Sequence, residues 1–335
     1  MSVSRKWEAA ARYAIRVRES IFIWNEEDSD GRDDFDVDDI DVDFVSVPLL
    51  AGRKRSQWMK SLLNCTDQME CLVAFFSGLF HPFRQELQRT VKKNATTLRT
   101  LIIPDWTLPY DGRIVYPRLR RLECKSVSDK AAAACPVLQK LEVSSELSKS
   151  MFKHLPAGTM RELDCSLGDK FDDADFVDGV TLLIHLEKLT VQDMDCQSLQ
   201  EIFRKLRHLT DVSVDYRIAF DFLDDAVATL VQNNPDLQSL NVGNITDRSL
   251  ISISRLSKLE SLTLDSKWSH LSAEAMLTLL RGPSRHTLQM LSITNNTPTD
   301  WSLIEAEMLL LSEETGREVD VFKDQFTFNV DIVPN

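Results

Sequence analysis

A six-residue phrase, L-x-x-L-x-L, recurs along this chain, and a chain built on it has few folds open to it. The phrase reads LRTLII at 98–103, LRRLEC at 119–124, LQKLEV at 138–143, MRELDC at 160–165 and LEKLTV at 186–191. It continues as LTDVSV at 209–214, LQSLNV at 237–242, LESLTL at 259–264 and LQMLSI at 288–293. Successive starts lie 21, 19, 22, 26, 23, 28, 22 and 29 residues apart, and a weaker tenth phrase, EVDVF, sits at 318–322. Side chains alternate between the faces of an extended strand, so residues four and six share one face and residues three and five the other. One such strand cannot bury its apolar face alone, whereas strands stacked in parallel bury a continuous core.

Between the phrases lie helical patterns. SLQEIFRKLRHL (198–209) places Leu199, Ile202, Phe203 and Leu206 on one face. DRSLISISRL (247–256) does the same with Leu250, Ile253 and Leu256. SAEAMLTLLRG (272–282) has Ser272 as N-cap and Gly282 as stop before Pro283, and DFLDDAVATLVQNNP (221–235) ends at Pro235. Strand, turn and helix in alternation, at periods in or near 20–29 residues, predict an α/β leucine-rich-repeat solenoid. The expected form is a right-handed horseshoe with parallel strands on the concave face.

Two segments carry closer resemblances. ACPVLQKLEV (134–143) is similar to the helix–strand junction of the cysteine-containing leucine-rich repeat, and NNPDLQSLNV (233–242) is the same junction with Asn for Cys. ITDRSLISISRLSKLESLTL (245–264) looks like that family's I-T-D-x-x-L helix start followed by a complete repeat. The Asn or Cys that the family places after each strand is absent from most repeats here, with Asn296 the exception. VSRKWEAAARYAIRVRESIFI (3–23) resembles the second half of an F-box: a valine, a basic pair, a tryptophan, then a helix of small residues. The first half of that motif has no counterpart in the sequence. The resemblance implies docking on a Skp-type adaptor, and through it a cullin, with Val3, Trp7 and Ala10 as the adaptor-binding candidates. The alternative is an amphipathic helix that simply covers the first repeat.

The expected organisation is a partial F-box-like helical segment at 1–25, an acidic excursion at 26–47, a helical cap at 48–97, leucine-rich repeats at 98–322 and a tail at 323–335. Residues 26–43 hold eleven Asp/Glu and one Arg, which leaves only −3 of the net −13 for the rest of the chain. Such a segment repels itself and reads as solvated and disordered. The other reading is an acidic tail that contacts a basic partner or the chain's own RKR (53–55). An EF-hand register that starts from Gly31 puts Val37 where a bidentate Glu is needed.

No phosphate-binding glycine loop, H-E-x-x-H or G-x-S-x-G is present. The six histidines are scattered, and His185 and His208 read as turn residues. The expectation is no catalytic residue, no cofactor and no metal. Net acidity argues against nucleic acid as partner. The longest apolar stretch, 72–80, is too short to span a bilayer. Few cysteines and no C-x-x-C pair indicate reduced thiols and a cytoplasmic or nuclear protein.

In this register positions three, five and seven of each phrase face the concavity and are polar almost throughout. The partner-binding candidates are Arg121, Glu123, Lys140, Glu142, Glu162, Asp164, Lys188, Asp211 and Asp215. Glu123, Glu142 and Asp164 occupy the fifth position of successive phrases, which suggests a basic or mixed-charge partner segment. The resemblances together imply a noncatalytic substrate-recognition subunit of an SCF-like ubiquitin ligase that holds a protein substrate on the repeats. The alternatives are an interaction scaffold without a working F-box, or a repeat protein that regulates another enzyme.

Overall fold

Each of the nine phrases forms a strand. The reason is visible in the burial: the leucine-type residues at positions one, four and six are all removed from water. Leu101, Leu122, Leu141, Leu163, Leu189, Leu240, Leu262 and Leu291 are at most 1% exposed. Each such side chain contributes about 1.5–3 kcal/mol of burial free energy. The computed structural model describes residues 20–24, 45–48, 68–74, 84–144, 147, 149–165, 173–192, 194–215, 222–266, 271–295, 301–323 and 327–332. The chain divides into two units, Met1–Met160 and Arg161–Asn335.

The first unit contains β1 (Ser20–Trp24), β2 (Val45–Pro48), β3 (Cys71–Ala74), β4 (Thr100–Thr107), β5 (Arg121–Ser126) and β6 (Lys140–Val143). They pair in the order β6-β5-β4-β3-β1-β2, all parallel. The second unit contains β7 (Glu162–Cys165), β8 (Lys188–Gln192), β9 (Asp211–Asp215), β10 (Ser239–Gly243), β11 (Ser261–Ser266) and β12 (Met290–Asn295). These are parallel neighbours in chain order. Helices connect them, among them Cys196–Lys205, Asp224–Asn233, Asp247–Ile253 and Ala273–Leu280.

Three expected boundaries change. Residues 71–74, placed in a helical cap, form β3, and only Arg84–Lys93 of the described part of 48–97 is helical. Met69-Glu70-Cys71-Leu72-Val73-Ala74 is in fact a further phrase in register, with Leu72 paired to Leu101. Met and Ala in place of two leucines hid it. Residues 20–24 and 45–48 are strands inside the segments expected to be helical and disordered. Both are short β-branched and aromatic stretches that a strand suits better than a helix. The 323–335 tail contributes β14 (Thr327–Ile332), which runs antiparallel beside β12, and β13 (Val319–Lys323) pairs antiparallel with β14. The tenth phrase is therefore not another parallel repeat. The acidic residues 26–43 and Val3, Trp7 and Ala10 lie outside the described residues.

Register is fixed by a backbone device. The carbonyl at position two of a phrase accepts from two consecutive N–H groups of the next. Arg99 O accepts from Arg120 N at 2.7 Å and Arg121 N at 3.1 Å, and Glu187 O from Thr210 N at 2.7 Å and Asp211 N at 3.1 Å. Arg120, Arg161, Thr210, Gln238 and Glu260 repeat it.

Side chains reinforce this link. Thr97, Thr159 and Thr287, each just before a phrase, donate from Oγ1 to the carbonyls of Met69, Leu138 and Leu259 at 2.7–2.8 Å. Asn234, 1% exposed, accepts from Leu209 N at 2.9 Å and donates to Leu206 O and Leu230 O. Asn94 does the same for Met69 N at 2.9 Å. On the helical side, Asp224 accepts from the N–H and hydroxyl of Thr246, the next helix's N-cap. Asp247 in turn accepts from the N–H of Ser272, the N-cap of the helix after that.

Gly282 ends its helix for a reason other than a left-handed cap. Its φ is −70°, but an added Cβ would lie 2.5 Å from Ser254 O and 2.9 Å from Leu279 O. At the second unit's far end, Trp301 stacks on Phe328 at 5.4 Å. Glu307, 6% exposed, accepts from Nε and Nη2 of Arg281 at 3.0 and 2.8 Å. Arg317 donates to the carbonyls of His286 and Leu288 at 3.1 and 2.9 Å.

Two outcomes follow. Asn234→Ala removes the acceptor of the buried Leu209 N–H and the side-chain donor to Leu206 O, while Leu230 O keeps the Asn234 N–H, and is expected to lower unfolding free energy by about 1–3 kcal/mol in urea melts. Burial pushes the thiols of Cys71 and Cys135 up from 9.0 to about 12, and those of Cys124 and Cys165 higher still. Unfolded thiols ionise near 9 and folded ones do not, so the unfolded state loses protons first. Stability should hold below pH 9 and fall as pH rises from 9 towards 12, read as melting temperature against pH. A melting temperature flat across that range would contradict the assignment.

Candidate partner-binding strand face

The strand residues that alternate with the buried ones make up the candidate site. In the first unit Arg121 pairs in register with Lys140, and Glu123 with Glu142. Like charges therefore sit side by side in each row, with opposite charges in the neighbouring row. Glu123 is only 7% exposed and is not offered to solvent as expected. Its register partner on β4 is Ile102, fully buried, and beside that lie Val73 and Cys71, also buried. This face is apolar and buried at Cys71, Val73 and Ile102, with the partly exposed Thr100 beside them, rather than polar almost throughout. Lys140, Glu142 and Arg121 are partly exposed.

In the second unit the face is polar on each strand from β7 to β11. Glu162, Lys188 and Asp211 follow one another in register, as do Asp164, Thr190 and Ser213. Lys188 Nζ lies 3.8 Å from the Asp211 carboxylate. Asp215 is exposed beside Gln192. Asn241 donates to Ser213 Oγ at 3.1 Å, and Ser292 to Asn329 Oδ1 at 2.6 Å. Asp265 extends this face on β11, and β14 and β13 add Asp331 and Asp320. Among the described residues it thus presents seven carboxylates and one ammonium, that of Lys188. The candidates on Glu162, Asp164, Lys188, Asp211 and Asp215 share this surface. Asp331 falls in the stretch expected to be tail, where the alternation T-F-N-V-D-I at 327–332 is the signal, and Asp320 falls in the weak tenth phrase, for which no candidate residue is expected.

A second feature lies at the turns that precede the strands. His185 and His208 stack there at 6.5 Å and help line a cleft of about 340 Å³ with Arg161, Glu187, Arg207 and Asp236. Its carboxylates are already engaged: Glu187 with Arg161 at 3.2 Å, and Asp236 with Lys258 at 2.7 Å. His185 occupies a turn, as expected, whereas His208 lies in an irregular stretch between its helix and the next strand. Among the described residues no group of three or more His, Cys, Asp or Glu is placed to hold a metal ion, and no helix is long and apolar enough to cross a membrane.

No protein-family model matches the sequence, and no curated protein matches it. Among solved structures, the chain is similar to one in a crystal structure of a complex of Rad7 and Elc1 in yeast, with 17% identity and a TM-score of 0.48. The match covers 73% of this chain, which spans about 61% of that one.

Lys188 is half exposed and its ion pair is long. Lys188→Ala is expected to change stability by less than about 1 kcal/mol in denaturant titrations, a loss above that range showing a structural role instead.

Proposed function

We propose that this protein is a noncatalytic recognition module of the leucine-rich-repeat kind, a horseshoe whose strand face holds a polypeptide partner. The observation that carries this reading is the division of labour on each strand of the second unit. One set of alternating residues is consumed by the core, and the other leaves polar and charged side chains in regular rows at the surface. Strands are about 4.7–4.9 Å apart, a spacing at which an extended segment meets one row after another.

The finer reading follows the sequence resemblances. The repeats would hold a substrate, and the segment that holds Val3, Trp7 and Ala10 would dock a Skp-type adaptor and a cullin, making the chain the substrate-recognition subunit of an SCF-like ubiquitin ligase. The chemistry then belongs to the partners, and this chain supplies no catalytic residue. In a scaffold without a working F-box, the same face would act without ubiquitylation.

The test is a tagged pulldown with quantitative mass spectrometry, comparing the full chain with one that lacks 1–25. Adaptor and cullin recovered only with the full chain support the ligase reading, and their absence from both samples rejects it. Glu142→Lys combined with Asp164→Lys is expected to weaken recovery of the other partners severalfold, and unchanged recovery would remove the strand face from the account.

A further inference from the structure

The β13–β14 hairpin sets Asp320 directly opposite Asp331. Both side chains are exposed, and neither makes an ion pair with a described residue. Directly opposed residues of an antiparallel pair have Cβ atoms roughly 4.5–5.5 Å apart, and like charges there destabilise the pair. The free protein therefore carries a local repulsion that a cation set between the two carboxylates would remove. The surroundings narrow the kind of cation. Met290 is the register partner of Asp331 on β12 and is 40% exposed. Phe322 lies two residues from Asp320 on the same face and is 69% exposed. An acidic pair flanked by exposed apolar side chains matches a group that is charged at its tip and apolar along its stem. Arginine fits best: its planar guanidinium donates to two carboxylates at once and stacks on an aromatic ring.

We propose that this end of the second unit's strand face binds an arginine-bearing basic segment of a protein partner. The guanidinium bridges Asp320 and Asp331, and the side chains around it rest on Phe322 and Met290. Asp265, Asp215 and Asp211 continue the acidic surface along the same face and favour further basic residues in the segment. The inference rests on the reading that this face holds a polypeptide.

The probes are short fluorescein-labelled peptides in which Arg is flanked by Leu, together with their Lys and Glu counterparts. Binding is followed by fluorescence anisotropy at low salt. The Arg peptide should bind the full chain, the Lys peptide more weakly and the Glu peptide not at all. Asp320→Asn with Asp331→Asn should weaken Arg-peptide binding about tenfold or more, and Phe322→Ala should weaken it severalfold. The same double substitution, at exposed sites, should raise the melting temperature of the free protein by relieving the repulsion. Equal binding to wild type and double variant, equal binding of the Glu peptide, or no binding of the Arg peptide would each overturn the proposal. So would calcium alone raising the melting temperature of wild type but not of the double variant, because the pair would then be a cation site. A natural partner that footprints on the strand face without a basic residue over Asp320 and Asp331 rejects this inference alone. One that footprints on the helices rejects the underlying reading.

Discussion

The structure depends on one backbone contact made again and again: a carbonyl that accepts from two successive N–H groups of the next repeat. Arg99, Glu187 and Gln238 make it with unrelated side chains, so it is independent of residue type. What it fixes is phase. A slip of one residue would turn Leu189 or Leu262 to water and Thr190 or Thr263 into the core. The leucines supply the free energy, and the forked carbonyl ensures that it is collected in only one alignment.

That alignment is why so much could be read in advance. The nine full phrases mark strands and their buried residues, because a period of two with a buried face has one solution. Helices with strong caps, such as those begun by Thr246 and Ser272, were equally visible. The failures share a cause. In β3, Met69 and Ala74 do the work of leucines, and in β14 the apolar set is Phe328, Val330 and Ile332. Burial asks only for apolar volume at the right phase, whereas the L-x-x-L-x-L phrase is recognisable only where that volume is leucine.

The candidate surface was partly legible for a related reason. Residues that alternate with core residues must lie on the other face, and Lys188, Asp211 and Asp215 do lie there. Alternation says nothing about what covers that face. Glu123 is buried because its neighbourhood on β3 and β4 is apolar, a property of other strands that its own phrase does not record. Equally, the Asp320–Asp331 pairing needs the antiparallel return of the chain, and no local pattern announces a partner nearly a dozen residues away.

The aspartates at the helix starts bear on how such a chain changes over evolutionary time. Asp224 and Asp247 each reach the N–H of the following N-cap, a group that every residue but proline offers. The backbone half of this joint thus makes almost no demand on sequence, although Asp224 also takes the hydroxyl of Thr246. Neither this link nor the forked carbonyl spans the stretch between a strand's end and the next helix. That stretch is free to lengthen or shorten without disturbing either joint. The uneven spacing of the phrases, from 19 to 29 residues, is the expected record of a design that tolerates insertion there.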